Sequence, residues 1–145
     1  MKHQKSLMRA VGKARRAWQQ HVREVAQGMG IPDSYREVIM YLYHNPGAGQ
    51  KQIAAFAQIT ASAVNQAVKS MEAEGYLRKE TDPADKRNTC LYLTEKSEAI
   101  ARELKHRLEI SDGGITALVG PEKEAEMIAL LETVADYIRK ELTSC

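Results

Sequence analysis

Cysteine is scarce in this chain. Its 145 residues include two, Cys90 and Cys145, far apart and without C-x-x-C or Cys/His spacing, so neither a disulfide framework nor a metal site can be read. Neither thiol has an evident activating base beside it, which argues against redox control. Long apolar runs are missing too: none approaches the roughly 20 residues a membrane helix requires. The N-terminus is basic (Lys2, Lys5, Arg9, Lys13, Arg15, Arg16) but lacks the compact apolar stretch of a signal peptide. The expected location is the cytoplasm, away from any membrane. The four histidines, His3, His21, His44 and His106, stand in separate segments. No nucleophile–base pair, glycine-rich phosphate loop or HExxH accompanies them, so neither catalysis nor a cofactor is expected.

An excess of one charge is also absent, because the net charge is only +2. Its distribution is uneven. Residues 1–27 carry seven bases and one acid, 28–59 and 60–93 are balanced, and 94–145 carry seven bases against eleven acids. A basic start and an acidic end can attract each other across packed helices; two solvated faces account for the asymmetry equally well.

What the chain has is helical periodicity with sharp punctuation. Leu7, Val11, Ala14, Trp18, Val22, Val25 and Met29 draw one stripe down a long helix, which Gly28, Gly30 and Pro32 end. A second helix follows Asp33 or Ser34, with Val38, Ile39, Leu42 and Tyr43 inward, and Asn45-Pro46-Gly47 closes it. A short third helix spans Gln50 to about Ala57. Thr60 then offers an N-cap for a run to Glu74 that Gly75 terminates. Two short helices joined tightly make a helix-turn-helix. Residues 76–81 and 90–93 read as two strands around the turn-rich Asp82–Asn88, a β-ribbon with a long tip. Thr94 opens the next helix, which Asp112-Gly113-Gly114 is expected to break or bend, and Pro121 opens the last. The fold class is therefore mainly α: a winged helix-turn-helix with a two-stranded β wing (33–93), flanked by N-terminal (1–32) and C-terminal (94–145) dimerisation helices. The terminal stripes need an apolar partner. A second subunit related by a two-fold axis supplies one; an intrachain bundle is the other possibility.

The helix after Thr60 has the make-up of a DNA reader. Ser62, Asn65, Gln66 and Lys69 face outward, and Ala61 and Ala63 keep its entry slim. Asn and Gln each present a donor and an acceptor to an adenine edge, while Lys69 suits a phosphate or guanine. At the ribbon tip, Lys86 can hold phosphate, Arg87 suits a narrow minor groove, and Asp85 can orient that guanidinium or tie the wing to its base. Polar side chains at this spacing are also ordinary on a solvated helix. Their place in the second helix of a tight pair, just before a basic tip, favours double-stranded DNA.

Asp85-Lys86-Arg87 followed by Leu91-Tyr92-Leu93-Thr94 resembles the wing signature of the MarR (multiple antibiotic resistance regulator) family. Val64 through Met71-Glu72-Ala73-Glu74-Gly75-Tyr76-Leu77 resembles that family's recognition helix and its exit, and Ile53-Ala54 the helix before it. The resemblance implies a homodimer whose first and last two helices form the interface. It places the recognition helix in the major groove of a pseudo-palindromic operator and Arg87 in the minor groove. It also implies a repressor of promoters, often released by a small aromatic ligand. The chain departs from the pattern at Gln66, often arginine in the family, and at Ala63, often threonine or serine. For such an effector, Trp18 and His21 with Arg15 could line a cleft against Tyr35 and Tyr43; interhelix core is the alternative for each. A winged helix that binds protein instead of DNA is the competing function.

Overall fold

The computed structural model describes residues 6–85 and 87–143; Lys2, His3, Lys5, Lys86 and Cys145 lie outside them. Helix α1 runs Leu7–Gly28, α2 Asp33–His44, α3 Gln50–Ala57 and α4 Ala61–Ala73. Strands β1 (Leu77–Thr81) and β2 (Thr89–Leu93) follow, then α5 (Glu95–Val119), α6 (Pro121–Tyr137) and a π-helical turn at Ile138–Leu142. The architecture is the mainly helical winged helix that the patterning predicts. Contacts divide the chain into two compact units, Met1–Lys105 and His106–Cys145.

In the first unit α2 is central, because its apolar residues fall on one stripe. Val38, Ile39 and Leu42 are essentially inaccessible, and burying each contributes roughly 1.5–3 kcal/mol. Around them pack Ile53 of α3, Val64, Val68 and Met71 of α4, Leu77 of β1, Leu91 and Leu93 of β2, and Ala101 of α5. From α1 only Val22 and Ala26 are buried; at its start Leu7 and the neighbouring Met8 are exposed in the single chain.

The strands pair antiparallel, with Leu77 opposite Leu93 and Lys79 opposite Leu91. In β1 only Leu77 is buried; beyond it the ribbon leaves the core, and its side chains are correspondingly polar. The outer edge of β2 is occupied as well: Gly47 N–H donates to Leu91 O (2.9 Å) and Leu91 N–H to Ala48 O (3.0 Å). Gly47 sits at φ 85°, and a Cβ there would come 3.0 Å from the Tyr92 hydroxyl. Conformation and space both require glycine at this position.

Local chemistry sets the helix ends. Thr60 Oγ1 accepts from Ala63 N–H (3.1 Å). At the far end of α4, Gly75 adopts φ 83°, while Tyr76 N–H reaches Met71 O (2.8 Å) and Gly75 N–H reaches Glu72 O (3.2 Å), a Schellman closure. The expected break at Asp112-Gly113-Gly114 does not occur: α5 continues to Val119. Glycine inside a helix costs about 1 kcal/mol relative to alanine, which the neighbouring backbone ladder absorbs. The stop comes instead at Gly120, where φ is 94° and Pro121 begins the next helix.

Among the described residues of the first unit, one polar side chain is fully buried. Ser97, in the first turn of α5, donates to Tyr76 O (2.6 Å) and accepts from Thr94 N–H (2.9 Å); Thr94 Oγ1 donates to Gly75 O (2.7 Å). Ser97→Ala is expected to destabilise the fold by roughly 1–3 kcal/mol, since both partners lose a hydrogen bond away from water. A urea titration of the variant beside the parent measures the difference, and an unchanged midpoint would refute it.

In the second unit α6 has no buried residue. Ile110, Ile115 and Leu118 of α5 and Met127, Ile128, Leu130 and Leu131 of α6 are all exposed, Leu118 by 85%.

Candidate nucleic-acid interface

The recognition helix is presented by a tight turn. Gln58 ends α3 in the left-handed conformation (φ 55°), Ile59 N–H returns to Ala54 O (3.3 Å), and Thr60 caps α4. Behind the cap, Val64, Val68 and Met71 fix the inner face, which leaves Ala61, Ser62 and Ala63 exposed at the entry. Gln66 and Lys69 are exposed as expected, whereas Asn65 is half-buried. Asn65 therefore has less freedom than Gln66 to reach outward.

The far end of α4 is anchored by Tyr35. Its hydroxyl donates to Glu74 Oε1 (3.1 Å), and its ring meets Tyr76 edge-on at 5.7 Å between centroids. Burial raises the phenol above its ordinary value, and the Glu74 carboxylate raises it further. Lys96 Nζ stands 4.1 Å over the Tyr76 ring and donates to Glu74 O (3.3 Å). Helices α2, α4 and α5 thus share one joint at the recognition helix's exit.

The wing tip is shaped by its aspartates. Asp82 Oδ1 accepts from Ala84 N–H (2.9 Å), and Asp85 Oδ1 accepts from Arg87 N–H (3.0 Å). Two backbone bonds, Asp82 N–H to Asn88 O (2.9 Å) and Asn88 N–H to Asp85 O (3.0 Å), close the loop. Such turns suit short carboxylates. The contact Asp85 makes is with the Arg87 backbone, so it shapes the turn that carries the arginine. Both residues are exposed. At the wing's base, Arg78 stacks over Tyr92 (4.6 Å to the ring centroid).

An exposed, slim, amide-bearing helix beside an arginine-tipped ribbon is the arrangement of a winged helix that docks on a duplex. The model of the MarR family matches residues 29–88, which hold α2, the helix-turn-helix and most of the wing. Over that stretch the chain is similar to the MarR family. It is similar to the HTH-type transcriptional regulator YybA of Bacillus subtilis, at 27% identity over 107 residues (71% of this chain, 69% of that protein). Among solved structures it resembles a MarR-family regulator from Listeria monocytogenes complexed with 26-mer DNA, at 18% identity and TM-score 0.74 over 92% of this chain and 89% of that one. It also resembles NadR in complex with 4-hydroxyphenylacetate, at 21% identity and TM-score 0.74 over 93% of this chain and 96% of that one. With these structures it shares the winged-helix fold.

The residues predicted for an effector are placed as follows. Trp18 and His21 are half-buried neighbours on α1 with ring centroids 5.6 Å apart, and Arg15 is exposed on the same helix. Tyr35 is buried against Tyr76 and Glu74, and half-buried Tyr43 lies edge-on to His44 at 5.3 Å. The structure pairs Trp18 with His21, and turns Tyr35 toward the recognition helix's exit. The sequence reasoning missed Ser97 and the Tyr35–Glu74 joint. A buried serine within an otherwise polar first helical turn gives no periodic signal, and a bond between residues 39 apart gives no local one.

Proposed function

We propose that the protein is a homodimeric repressor that binds an inverted-repeat operator. Residues 33–93 form the DNA-binding module, and the helices of 1–32 and 94–145 form the dimer. The observation that carries the reading is α4: its first turn is exposed, small and capped, while its inner face and exit are held rigidly. In the dimer the two α4 helices enter successive major grooves about 34 Å apart. Ser62, Asn65 and Gln66 discriminate bases, Lys69 and Lys86 hold phosphates, and Arg87 enters the minor groove. The exposed apolar surface of the second unit supports the dimer, because patches of this kind on an isolated chain mark interfaces. The DNA-bound Listeria relative supports the partner.

Selection of bound duplexes from a random pool, followed by gel-shift titration of the enriched sequence across salt concentrations, tests the reading. An inverted repeat with half-sites one helical turn apart is expected. Absence of salt-sensitive binding to any duplex would refute it.

A small aromatic acid is the proposed effector, bound near Trp18, His21 and Arg15 and releasing DNA. The NadR complex supports the ligand class, and an aromatic pair with a cation on the same helix suits it. Salicylate is expected to raise the melting temperature of the parent and not of Trp18→Ala; equal shifts in both would place the ligand elsewhere.

A further inference from the structure

Ser62, Gln66 and Ser70 of α4 and Glu74, its C-cap, are exposed and follow one another at four-residue steps. Side chains four apart are neighbours on a helix surface, so these form a single ridge. The ridge begins at the proposed base readers and ends at the joint behind α4. There the hydroxyl of Tyr35, a buried residue of α2, donates to Glu74 Oε1 (3.1 Å). Ser70, one turn earlier on the ridge, interacts with the same phenol.

The other contacts of α4 constrain it differently. Its inner face meets the core through Val64, Val68 and Met71. Apolar packing is non-directional, whereas a hydrogen bond weakens steeply with angle. The Thr60 cap bonds within its own turn and sets no angle against another element. Thr94, Lys96 and Ser97 hold the backbone of 74–76 to the start of α5, which fixes where the exit lies. Lys79 of β1 approaches Glu72 at 3.8 Å, but an ion pair this exposed constrains little. Tyr35 grips the ridge itself, and does so from the rigid centre of the module, where Val38 and Ile39 of α2 are inaccessible.

We infer that Tyr35 is a positioning residue for base discrimination: through the Glu74 end of the ridge it fixes the angle at which Gln66 meets the major groove. The inference rests on the docking proposed above, with Gln66 as a base reader. A roll of about 10° carries a side-chain tip roughly 6 Å from the helix axis through about 1 Å. That is enough to break a bidentate bond to a base edge. A phosphate contact made by a lysine on its flexible stem survives the same roll. The bond therefore matters for which sequence is bound and not for whether DNA is bound.

The test titrates the parent, Tyr35→Phe, Glu74→Ala and Glu74→Gln with two duplexes, one enriched from a random pool and one of random sequence and equal length. Tyr35→Phe keeps the ring and its edge-on contact with Tyr76, and removes only the donor. Losing one such bond lowers the fraction of protein at the docking angle, so affinity for the enriched duplex should fall by about 3–10-fold. Affinity for the random duplex, and the salt dependence on both, should match the parent. Glu74→Ala should behave as Tyr35→Phe does, while Glu74→Gln, whose amide oxygen still accepts, should bind like the parent. In a Gln66→Ala background the further loss from Tyr35→Phe should be under about twofold, because it acts through that side chain. Ile39→Val, which removes one buried methyl, should lower the melting temperature and leave the ratio of the two affinities unchanged. If Tyr35→Phe binds the enriched duplex like the parent, or loses as much with Gln66 absent, the bond does not set the reading angle, although the operator reading stands. Equal losses on both duplexes would make Tyr35 a purely structural residue and overturn the inference. If the parent shows no salt-sensitive binding to either duplex, the docking and the inference fall together.

Discussion

Glutamate at both Ile128 and Leu131 is expected to convert the protein to a folded monomer and to lower its affinity for the full operator by about 10²–10⁴-fold. The two positions are three apart on α6 and share one face. In the single chain they are 51% and 37% exposed, with Met127 and Leu130 beside them at 52% and 60%. Charge placed there can reach solvent in the single chain, but in a dimer it would be buried unpaired at a cost of several kcal/mol. The affinity loss follows from linkage: once one recognition helix is bound, its partner binds the second half-site at a high effective concentration, an advantage of this size that adds no new contact. Sedimentation velocity reports the association state, circular dichroism reports retained helix, and titration with full and half operators reports affinity. Half-site affinity should be unchanged. A variant that remains dimeric, or a monomer that binds the full operator like the parent, would remove the dimer from the mechanism.

The second large effect separates two kinds of contact. Gln66→Ala is expected to relax the preference at one base pair by on the order of 1–3 kcal/mol while leaving random-sequence binding nearly unchanged. Gln66 is fully outward on α4 and carries both a donor and an acceptor. Arg87→Ala should weaken binding to every duplex and flatten the salt dependence by about one unit of slope per subunit. The basis is placement: Arg87 sits at the exposed tip of a ribbon whose turn is fixed by Asp85, where it can reach a backbone and a narrow groove. Competition titrations with single-base operator variants distinguish the two. Indistinguishable profiles for Gln66→Ala and Arg87→Ala would show that base reading and backbone holding are not divided between helix and wing.

The elements that could be read in the sequence were those set by local chemistry. Thr60 and Gly75 bracket α4 because a hydroxyl cap and a left-handed glycine act within one turn. The stripe Val64, Val68, Met71 and the alternation of Leu91 and Leu93 announce their buried faces directly. Two local signals misled. The glycine pair in α5 looks like a breaker, but neither glycine takes a positive φ, and the ladder on both sides carries the helix through. Asn65 looks as exposed as Gln66 on a helical wheel, yet it sits closer to the buried stripe. What stayed hidden is the polar assembly at the exit of α4. Tyr35, Glu74, Tyr76, Lys96 and Ser97 come from separate elements, and only the folded chain brings them together.

The bonds that tie Thr94 and Ser97 to Gly75 and Tyr76 also bear on how the protein opens. A helix terminus normally frays independently of the rest of the fold. Here the last turn of α4 cannot release Gly75 and Tyr76 without freeing the first turn of α5, and the reverse also holds. In native-state hydrogen exchange the amides around 75–77 and 94–98 should therefore share one opening free energy, higher than that of the wing tip. The exit of α4 and the start of α5 then open as one unit.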